Sequence, residues 1–353
     1  MSVRHHFCYN TRLKLEALYN AGMPVRKIAA ELDKHISTVY RELKNGFYNH
    51  RTTEWTDVRH YSADRAQKHA VYMNTGKGAP LKIGNDRAYL QEIERLIREK
   101  DYSPAAALAT VAKTGGRKIC LRTLYHYIDM GMLRHTTAQD LPYHGKRKKK
   151  TTKGRHAKRA CPGTSIECRP PEVAARSEFG HWEMDTVLGR REAGEVLLVM
   201  TERLTRYELV FRLPDKSARS VVHCLDALER KCGRHFRRIF RTITVDNGCE
   251  FLRFSEMERS RLSTARRTAV YYCHPYASSE RGSNEKQNQM LRRKIPKGTP
   301  IERLSAADIH AAVHWLNDYP RGLFSFRSAA ALFESSLFSL GLQSFFDKFR
   351  KIS

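Results

Sequence analysis

The sequence predicts a multidomain protein: N-terminal all-α helix-turn-helix units, then an α/β core built on a mixed sheet. Three observations predict it. Apolar residues in the first 45 positions recur at helical spacing, an acid-free basic run occupies Gly145 to Ala160, and β-rich runs alternate with helical ones after Pro171. The boundaries expected are 1–50 for a helix-turn-helix domain, 51–140 for a helical connector with a second such unit, 141–170 for a basic linker and 171–353 for the core.

At the front, Leu13, Leu15, Leu18, Val25, Ile28, Leu32, Val39 and Leu43 fall at helical spacings, broken at Gly22-Met23-Pro24 and at Asp33-Lys34-His35. Three short helices are expected, and Pro24 suits a helix start. Ile28 to Leu32 followed by Ser37 to Leu43 has the layout of a helix-turn-helix, with Val39 and Leu43 inward. Ser37, Thr38, Tyr40, Arg41 and Lys44 then face out, where they could meet base edges or phosphates of double-stranded DNA. The pattern also fits a plain helical bundle, and Asp33 stands where Gly is common in such a turn. Tyr61 to Tyr72 reads as a basic connecting helix. A second, poorer copy follows. Ser103-Pro104 starts a helix through Ala112, Thr114-Gly115-Gly116 breaks it, and Leu121 to Met130 forms another. Leu121, Leu124, Tyr125 and Ile128 are expected on its inner face, with Arg122, Thr123, His126 and Tyr127 near the opposite side.

Between Gly145 and Ala160 lie Lys146, Arg147, Lys148, Lys149, Lys150, Lys153, Arg155, Lys158 and Arg159. Such a run cannot bury itself, so an extended connector that tracks phosphates is expected, with binding that weakens steeply in salt.

In the core, Gly180 to Leu188, Glu195 to Thr201, Tyr207 to Leu213, Arg241 to Asp246 and Ala269 to Cys273 read as strands. Residues 217–231 read as an amphipathic helix with Val221, Cys224, Leu225 and Leu228 inward, and Arg281 to Arg293 as another. Three carboxylates stand out in a strongly basic chain: Asp185 and Asp246 on strands, and Glu285 on the helix from Arg281, with further helices expected at the C-terminal end. Glu183 and Asp185 share a strand face, while Glu285, Asn288 and Arg292 share a helix side. Two strand ends and a helix can therefore converge on one pocket, where a pair of Mg²⁺ ions could meet a phosphate. Taken singly, each has an ordinary reading: Asp-Asn-Gly as a turn, Glu285 as a solvated carboxylate, and Asp185 as the partner of an arginine.

Several motifs occur in order along nearly the whole chain. They are Ile166-Glu167-Cys168-Arg169-Pro170, Gly180-His181-Trp182-Glu183-Met184-Asp185-Thr186-Val187, Asp246-Asn247-Gly248-Cys249-Glu250-Phe251, Pro275-Tyr276 with Glu280-Arg281-Gly282-Ser283-Asn284-Glu285, and Pro296-Lys297-Gly298-Thr299. Together they resemble the DDE transposases of the insertion-sequence-thirty family. The resemblance implies a ribonuclease-H-like, retroviral-integrase-type core with Asp185, Asp246 and Glu285 as a catalytic, metal-binding triad. It implies binding of an element's terminal inverted repeats, strand cleavage by activated water, and attack of the freed 3′ hydroxyl on another phosphodiester. Two Mg²⁺ ions are expected per site, with Mn²⁺ as a substitute: Asp185 and Asp246 on one, Asp185 and Glu285 on the other. His181, Glu183, Asn284 and Asn288 are outer candidates that could orient ligands, and Arg292 and Lys297 could neutralise nearby backbone. Joining two ends favours a homodimer or higher oligomer on DNA. Met184, Ser279 and Lys286 replace the family's usual Gly, Trp and Asn, which leaves every carboxylate in place. Ser279 removes an aromatic of the kind that stacks on unpaired bases.

Composition agrees. The 353 residues carry 64 basic against 37 acidic side chains, a formal charge of +27 that favours nucleic acid. No apolar run exceeds Val196 to Met200, so no membrane span is expected and a cytoplasmic, nucleoid-associated location is. Eight cysteines without a Cys-x-x-Cys pair point to reduced thiols. His223, Cys224, Cys232 and His235 come nearest to a zinc set, but Cys224 reads more simply as a core thiol. A Gly-x-x-x-x-Gly-Lys phosphate loop does not occur. Two other readings remain at this level: a DNA-binding regulator with an inactive core, and a nuclease that cuts without joining.

Overall fold

Helical spacing at the front of the chain becomes α1 (Tyr9–Asn20), α2 (Val25–Glu31) and α3 (Ile36–Gly46) in the computed structural model, which describes residues 7–75, 81, 86–113, 115, 119–142, 163–189, 194–275 and 277–352. Leu15, Ile28, Val39 and Leu43 form the centre of their core. The turn before α3 works without Gly because Asp33 adopts the left-handed conformation itself, at φ +48°, which Asp tolerates better than most residues. His35 then caps α3, its Nδ1 accepting the Ser37 N–H at 3.3 Å. A buried Arg12–Glu42 ion pair of 2.6 Å ties α1 to α3.

A two-stranded antiparallel hairpin, β1 (Phe47–Arg51) and β2 (Asp57–Tyr61), follows, and α4 (Ala63–Thr75) takes the place of the expected helix from Tyr61. The hairpin has no sequence signature because most of its side chains are polar and exposed. Only Tyr61, at its end, is driven inward. These elements belong to the first of two compact units, 1–84 and 85–353. The Lys146, Arg147, Lys148, Lys149 and Lys150 run lies outside the described residues.

The second unit begins with α5 (Arg87–Glu99), α6 (Pro104–Lys113) and α7 (Leu121–Asp129). α5 was not anticipated, although Leu90, Ile93, Leu96 and Ile97 make a clean buried stripe. The facing of α7 needs correction. Its buried residues are Leu124, Tyr127 and Ile128, whereas Leu121 and Tyr125 are exposed. The stripe follows the 124, 127, 128 spacing against α6, and Tyr127 belongs to it. The α5–α6 turn is tied to the C-terminal helices. Trp315 Nε1 donates to the Lys100 carbonyl at 2.6 Å, the Ser103 N–H donates to the Tyr319 hydroxyl at 2.9 Å, and Lys294 pairs with Asp101.

The rest of the unit runs α8 (Pro171–Ala175), β3 (His181–Leu188), β4 (Val196–Glu202), β5 (Glu208–Leu213), α9 (Ala218–Cys232), α10 (Phe236–Ile239), β6 (Thr242–Val245), α11 (Phe254–Glu258), β7 (Ala269–Tyr272), α12 (Gly282–Lys294), α13 (Ala306–Asp318), α14 (Ala329–Ser339) and α15 (Ser344–Ile352). The sheet order is β5-β4-β3-β6-β7, with β3, β4 and β5 antiparallel and β6 and β7 parallel to β3. This is the ribonuclease-H-like, mixed-sheet core expected. Pleat alternation divides the core. Trp182, Met184, Leu198 and Met200 pack with α9, α14 and α15, and Val187, Leu197 and Val199 pack with α12 and α13. Cys232 is buried and Cys224 packs against the same core, and burial pushes both thiols up to about 12. They are core thiols. Among the described residues, no helix is long and apolar enough to cross a membrane.

Candidate active site

Because β3 alternates, Trp182 and Met184 enter the hydrophobic core and Glu183, Asp185 and Val187 face α12. A strand rises about 3.3 Å per residue and a helix about 1.5 Å, so two residues of β3 span nearly the length of four on α12. The contacts follow that match. Glu183 Oε2 accepts the Asn284 N–H at 2.9 Å, and Asp185 Oδ2 accepts Asn288 Nδ2 at 3.0 Å. Glu183 is fully buried and paired with Arg203, so its charge fixes the start of α12. Asn284 also accepts from the Thr201 hydroxyl at 3.3 Å.

Strand register brings in the second carboxylate. Thr244 of β6 lies beside Glu183, so Asp246, two residues on, emerges level with Asp185. Asp246 Oδ1 accepts the Gly248 N–H at 2.9 Å. A Cβ at Gly248 would come within 2.4 Å of Glu250 Oε2 and 2.9 Å of Asp246 Oδ1, so a side chain there would displace these carboxylates. Glu250 is itself buried, accepts the Thr186 hydroxyl at 2.6 Å and pairs with Lys216 at 3.2 Å.

Both aspartates bracket one guanidinium. Arg281, immediately before α12, reaches Asp246 Oδ2 at 2.8 Å and Asp185 Oδ1 at 3.5 Å, and donates to the Met184 carbonyl at 3.2 Å. Burial holds the Asp185 carboxyl above its usual range, and the Asp246 charge adds to this against the opposing pull of Arg281. Glu285 is exposed on α12, four residues after Arg281 and three before Asn288, the two residues that reach Asp185. It therefore stands on the same flank of the helix.

Among the described residues, no three acidic, histidine or cysteine side chains converge closely enough to hold a metal ion. The donor set nevertheless fits a hard divalent cation. Two carboxylates already enclose a positive charge, and among the described residues the buried Asn247 and Asn288 Oδ1 oxygens have no hydrogen-bond partner.

The remaining expected residues are placed as follows. His181 opens β3, four residues before Asp185, its Nδ1 2.8 Å from Thr242 Oγ1 and its Nε2 3.8 Å from Glu178, so its polar contacts among the described residues are with neither aspartate nor Glu285. Arg292 donates to the Leu188 carbonyl at 2.5 Å, and Lys297 is exposed. On α3, Ser37, Tyr40, Arg41 and Lys44 are exposed and Thr38 is half-buried, with Arg41 folded back onto the Ser37 carbonyl at 3.2 Å. On α7, Arg122 and His126 are exposed, and Thr123 Oγ1 lies 3.1 Å from Cys120 Sγ. Arg281 and Glu250 were not singled out from sequence. Spacing offered one signal for Arg281, one helical turn ahead of Glu285.

A helix-turn-helix domain family matches residues 4–46, spanning α1 to α3. A probable transposase for insertion-like sequence element IS1161 from Streptococcus salivarius is 30% identical over 93% of this chain and 94% of its own. The chain belongs to the insertion-sequence-thirty family of transposases. Transposase InsI for insertion sequence element IS30C of Escherichia coli K12 is 28% identical over 93% of this chain and 83% of its own, and a transposase for insertion sequence element IS1086 of Cupriavidus metallidurans is 27% identical over 90% and 91%. The catalytic core domain of BIV integrase aligns at 16% identity with a TM-score of 0.34, over 46% of this chain and 98% of that one. The fold assignment rests on the strand order, not on this last likeness. Family membership makes the chain a transposase and its helix-turn-helix unit a DNA-binding module.

Proposed function

We propose that this transposase binds the terminal inverted repeats of its own mobile element through α3 and cuts and joins DNA strands at the Asp185, Asp246 and Glu285 cluster. The observation that carries this is the pair of aspartates, level on adjacent parallel strands, bracketing a single cation. Asp185 and Asp246 would hold one Mg²⁺, and Asp185 with Glu285 a second, with Mn²⁺ able to replace either. Bound there, the ions supply charge neutralisation and polarisation at a phosphodiester.

The chain's own residues set up the rest. Asn288 keeps Asp185 oriented through the 3.0 Å bond, and the Glu183–Arg203 pair keeps α12 in register with β3. Arg281, once released from the aspartates, is placed to meet a phosphate oxygen as charge develops on it. Water attacks the phosphorus at the element end, the P–O3′ bond breaks, and the leaving oxygen takes a proton to become a 3′ hydroxyl. That hydroxyl then attacks a second phosphodiester, losing its proton as the new bond replaces the old. One phosphodiester is exchanged for another in the joining step, so no nucleotide cofactor is needed. Ser37, Tyr40, Arg41 and Lys44 on α3 are the candidate readers of the repeat, with Arg122, Thr123 and His126 on α7 as a second set.

The test is chemical, because a +27 protein binds DNA in any case. A labelled duplex carrying the terminal repeat is incubated with Mg²⁺, Mn²⁺ or EDTA, beside the Asp246→Asn variant. Metal-dependent nicking at the repeat end, absent in the variant, and joined products from the wild type are expected. Tight repeat binding with no cleavage under any metal would move the assignment to a regulator.

A further inference from the structure

Beside the carboxylate flank, a neighbouring face of α12 lines a cavity of about 450 Å³ for which the proposed chemistry has no use. Its walls have two characters. Arg176, Arg206 and Arg321 supply positive charge, and Met290, Leu323 and Phe326 supply apolar surface.

Among the described residues none of the three arginines pairs directly with a carboxylate; Glu183 and Glu202, whose charges also act on Arg206, are bonded to Arg203 and to Thr205. Arg206 donates to the Arg203 carbonyl at 2.5 Å and to the Ser283 hydroxyl, and Arg321 to Gln287 Oε1 at 2.7 Å and the Leu316 carbonyl at 2.8 Å. None of these acceptors is a carboxylate. Among the described residues, the buried Nε atoms of Arg176 and Arg321 find no hydrogen-bond partner. Burial, with the Arg176 charge beside it, pulls Arg206 down to about 10, and burial does the same to Arg321. Glu208, the acid nearest in effect to Arg321, is pushed up to about 8 by its own burial, so it is mostly neutral at pH 7. The site is also strained. Arg176, Arg206 and Phe326 hold left-handed backbone at φ +55°, +61° and +60°, a conformation that side chains with a Cβ keep mainly where surrounding structure or function imposes it.

We propose that this cavity receives one nucleotide drawn out of the bound DNA next to the element end, its phosphate on the arginines and its base on the Met290, Leu323 and Phe326 wall. The volume falls in the range of small-ligand sites, roughly 300 to 1,000 Å³, and the walls match the two halves of a nucleotide. Leu323, 72% exposed, leaves apolar surface in the cavity wall open to whatever enters. The proposal rests on the DNA-cutting reading for its choice of DNA as the source.

The experiment places 2-aminopurine singly along the terminal-repeat duplex and reads its fluorescence on binding to Asp246→Asn protein, where no cutting interferes. Brightening at one position near the element end is expected, because the base leaves the stack. Ala105→Trp, which fills the cavity from α6, should abolish it while repeat binding by anisotropy is unchanged. Arg176→Ala should weaken it and lower the salt slope of binding by about one. Since the buried Nε of Arg176 has no hydrogen-bond partner among the described residues, that variant keeps the test open if Ala105→Trp misfolds. Equal brightening in both variants, or none at any position despite full repeat binding, overturns the proposal. Binding of free dAMP to DNA-free protein, lost in Ala105→Trp, would make a free nucleotide the ligand and overturn DNA as its source. Brightening that persists when wild-type protein cleaves nothing would sink the chemistry and leave the cavity standing; cleavage without brightening would do the reverse.

Discussion

A single guanidinium decides how the two aspartates coexist. Arg281 is 14% exposed at its side chain and stands against Asp185 and Asp246 at once. Without it the carboxylates face one another, a repulsion that burial of Asp185 sharpens. Arg281→Gln should therefore lower stability in EDTA by about 1–3 kcal/mol, and Mg²⁺ should restore more stability to the variant than to the wild type. Thermal melts with and without Mg²⁺ check this, and equal metal-induced shifts in the two proteins would show that Arg281 does not compete for the site. A second residue carries a pH signature. Burial pushes the Glu208 carboxyl up to about 8, from 4.5 in an exposed chain. Between those values the folded protein keeps a proton that the unfolded chain has released. The stability from this group is thus full below pH 4.5 and falls as pH rises toward 8, by about 4 kcal/mol. Glu208→Gln should flatten that part of the profile, read as the difference between wild-type and variant urea midpoints from pH 5 to 8.

Elements were legible where burial imposes a period and opaque where it does not. β3, β4, β5, α9 and α12 lie within a residue or two of their expected bounds, because each presents an apolar face to one of two cores. The β1–β2 hairpin gave no signal, since Tyr48, Asn49, His50 and Arg51 alternate nothing apolar. On α7 the apolar residues outnumber the buried ones, so the stripe could be drawn through Tyr125 when the packing chose Tyr127. Strand and helix periods allowed Asp185, Asp246 and Glu285 to converge, the family resemblance named them as a triad, and the strand register sets Asp185 level with Asp246. Arg281 was hidden because a guanidinium's role depends on which charges the fold sets around it, and the chain holds dozens of basic residues to choose from. The hairpin gives a prediction at this scale. At Gly46 a Cβ would meet the Ser62 carbonyl at 2.5 Å and the Tyr61 ring at 2.6 Å, at the point where α3 hands over to β1. Backbone cannot step aside as a flexible side chain can, so Gly46→Ala should cost about 1–3 kcal/mol. A lowered melting temperature of residues 1–84 with weakened repeat binding is expected, and an unchanged melt would mean that the junction yields.

At the scale of the molecule, the question is whether recognition and chemistry are separable. Residues 1–84 form a unit whose buried residues Leu15, Ile28, Val39, Leu43, Tyr61 and Ala66 all come from within it. Its polar ties are internal as well. Arg12 joins Glu42 and Gln67, both at 2.6 Å, which links α1 to α3 and α4. Asn20 clamps the Tyr61 backbone from both sides, accepting its N–H and donating to its carbonyl, each at 2.9 Å. A unit of this size with a closed core and satisfied buried polar groups is above the length at which domains need a disulfide or metal to fold. Fragment 1–84 should therefore unfold cooperatively and bind the terminal repeat with a steep salt dependence, while cutting nothing. Circular dichroism and a salt-resolved binding isotherm check this. A fragment without helical signal would show that unit 1 borrows its stability from the remainder of the chain. A folded fragment that prefers no sequence would move recognition of the repeat to α7, whose exposed Arg122 and His126 are the next candidates.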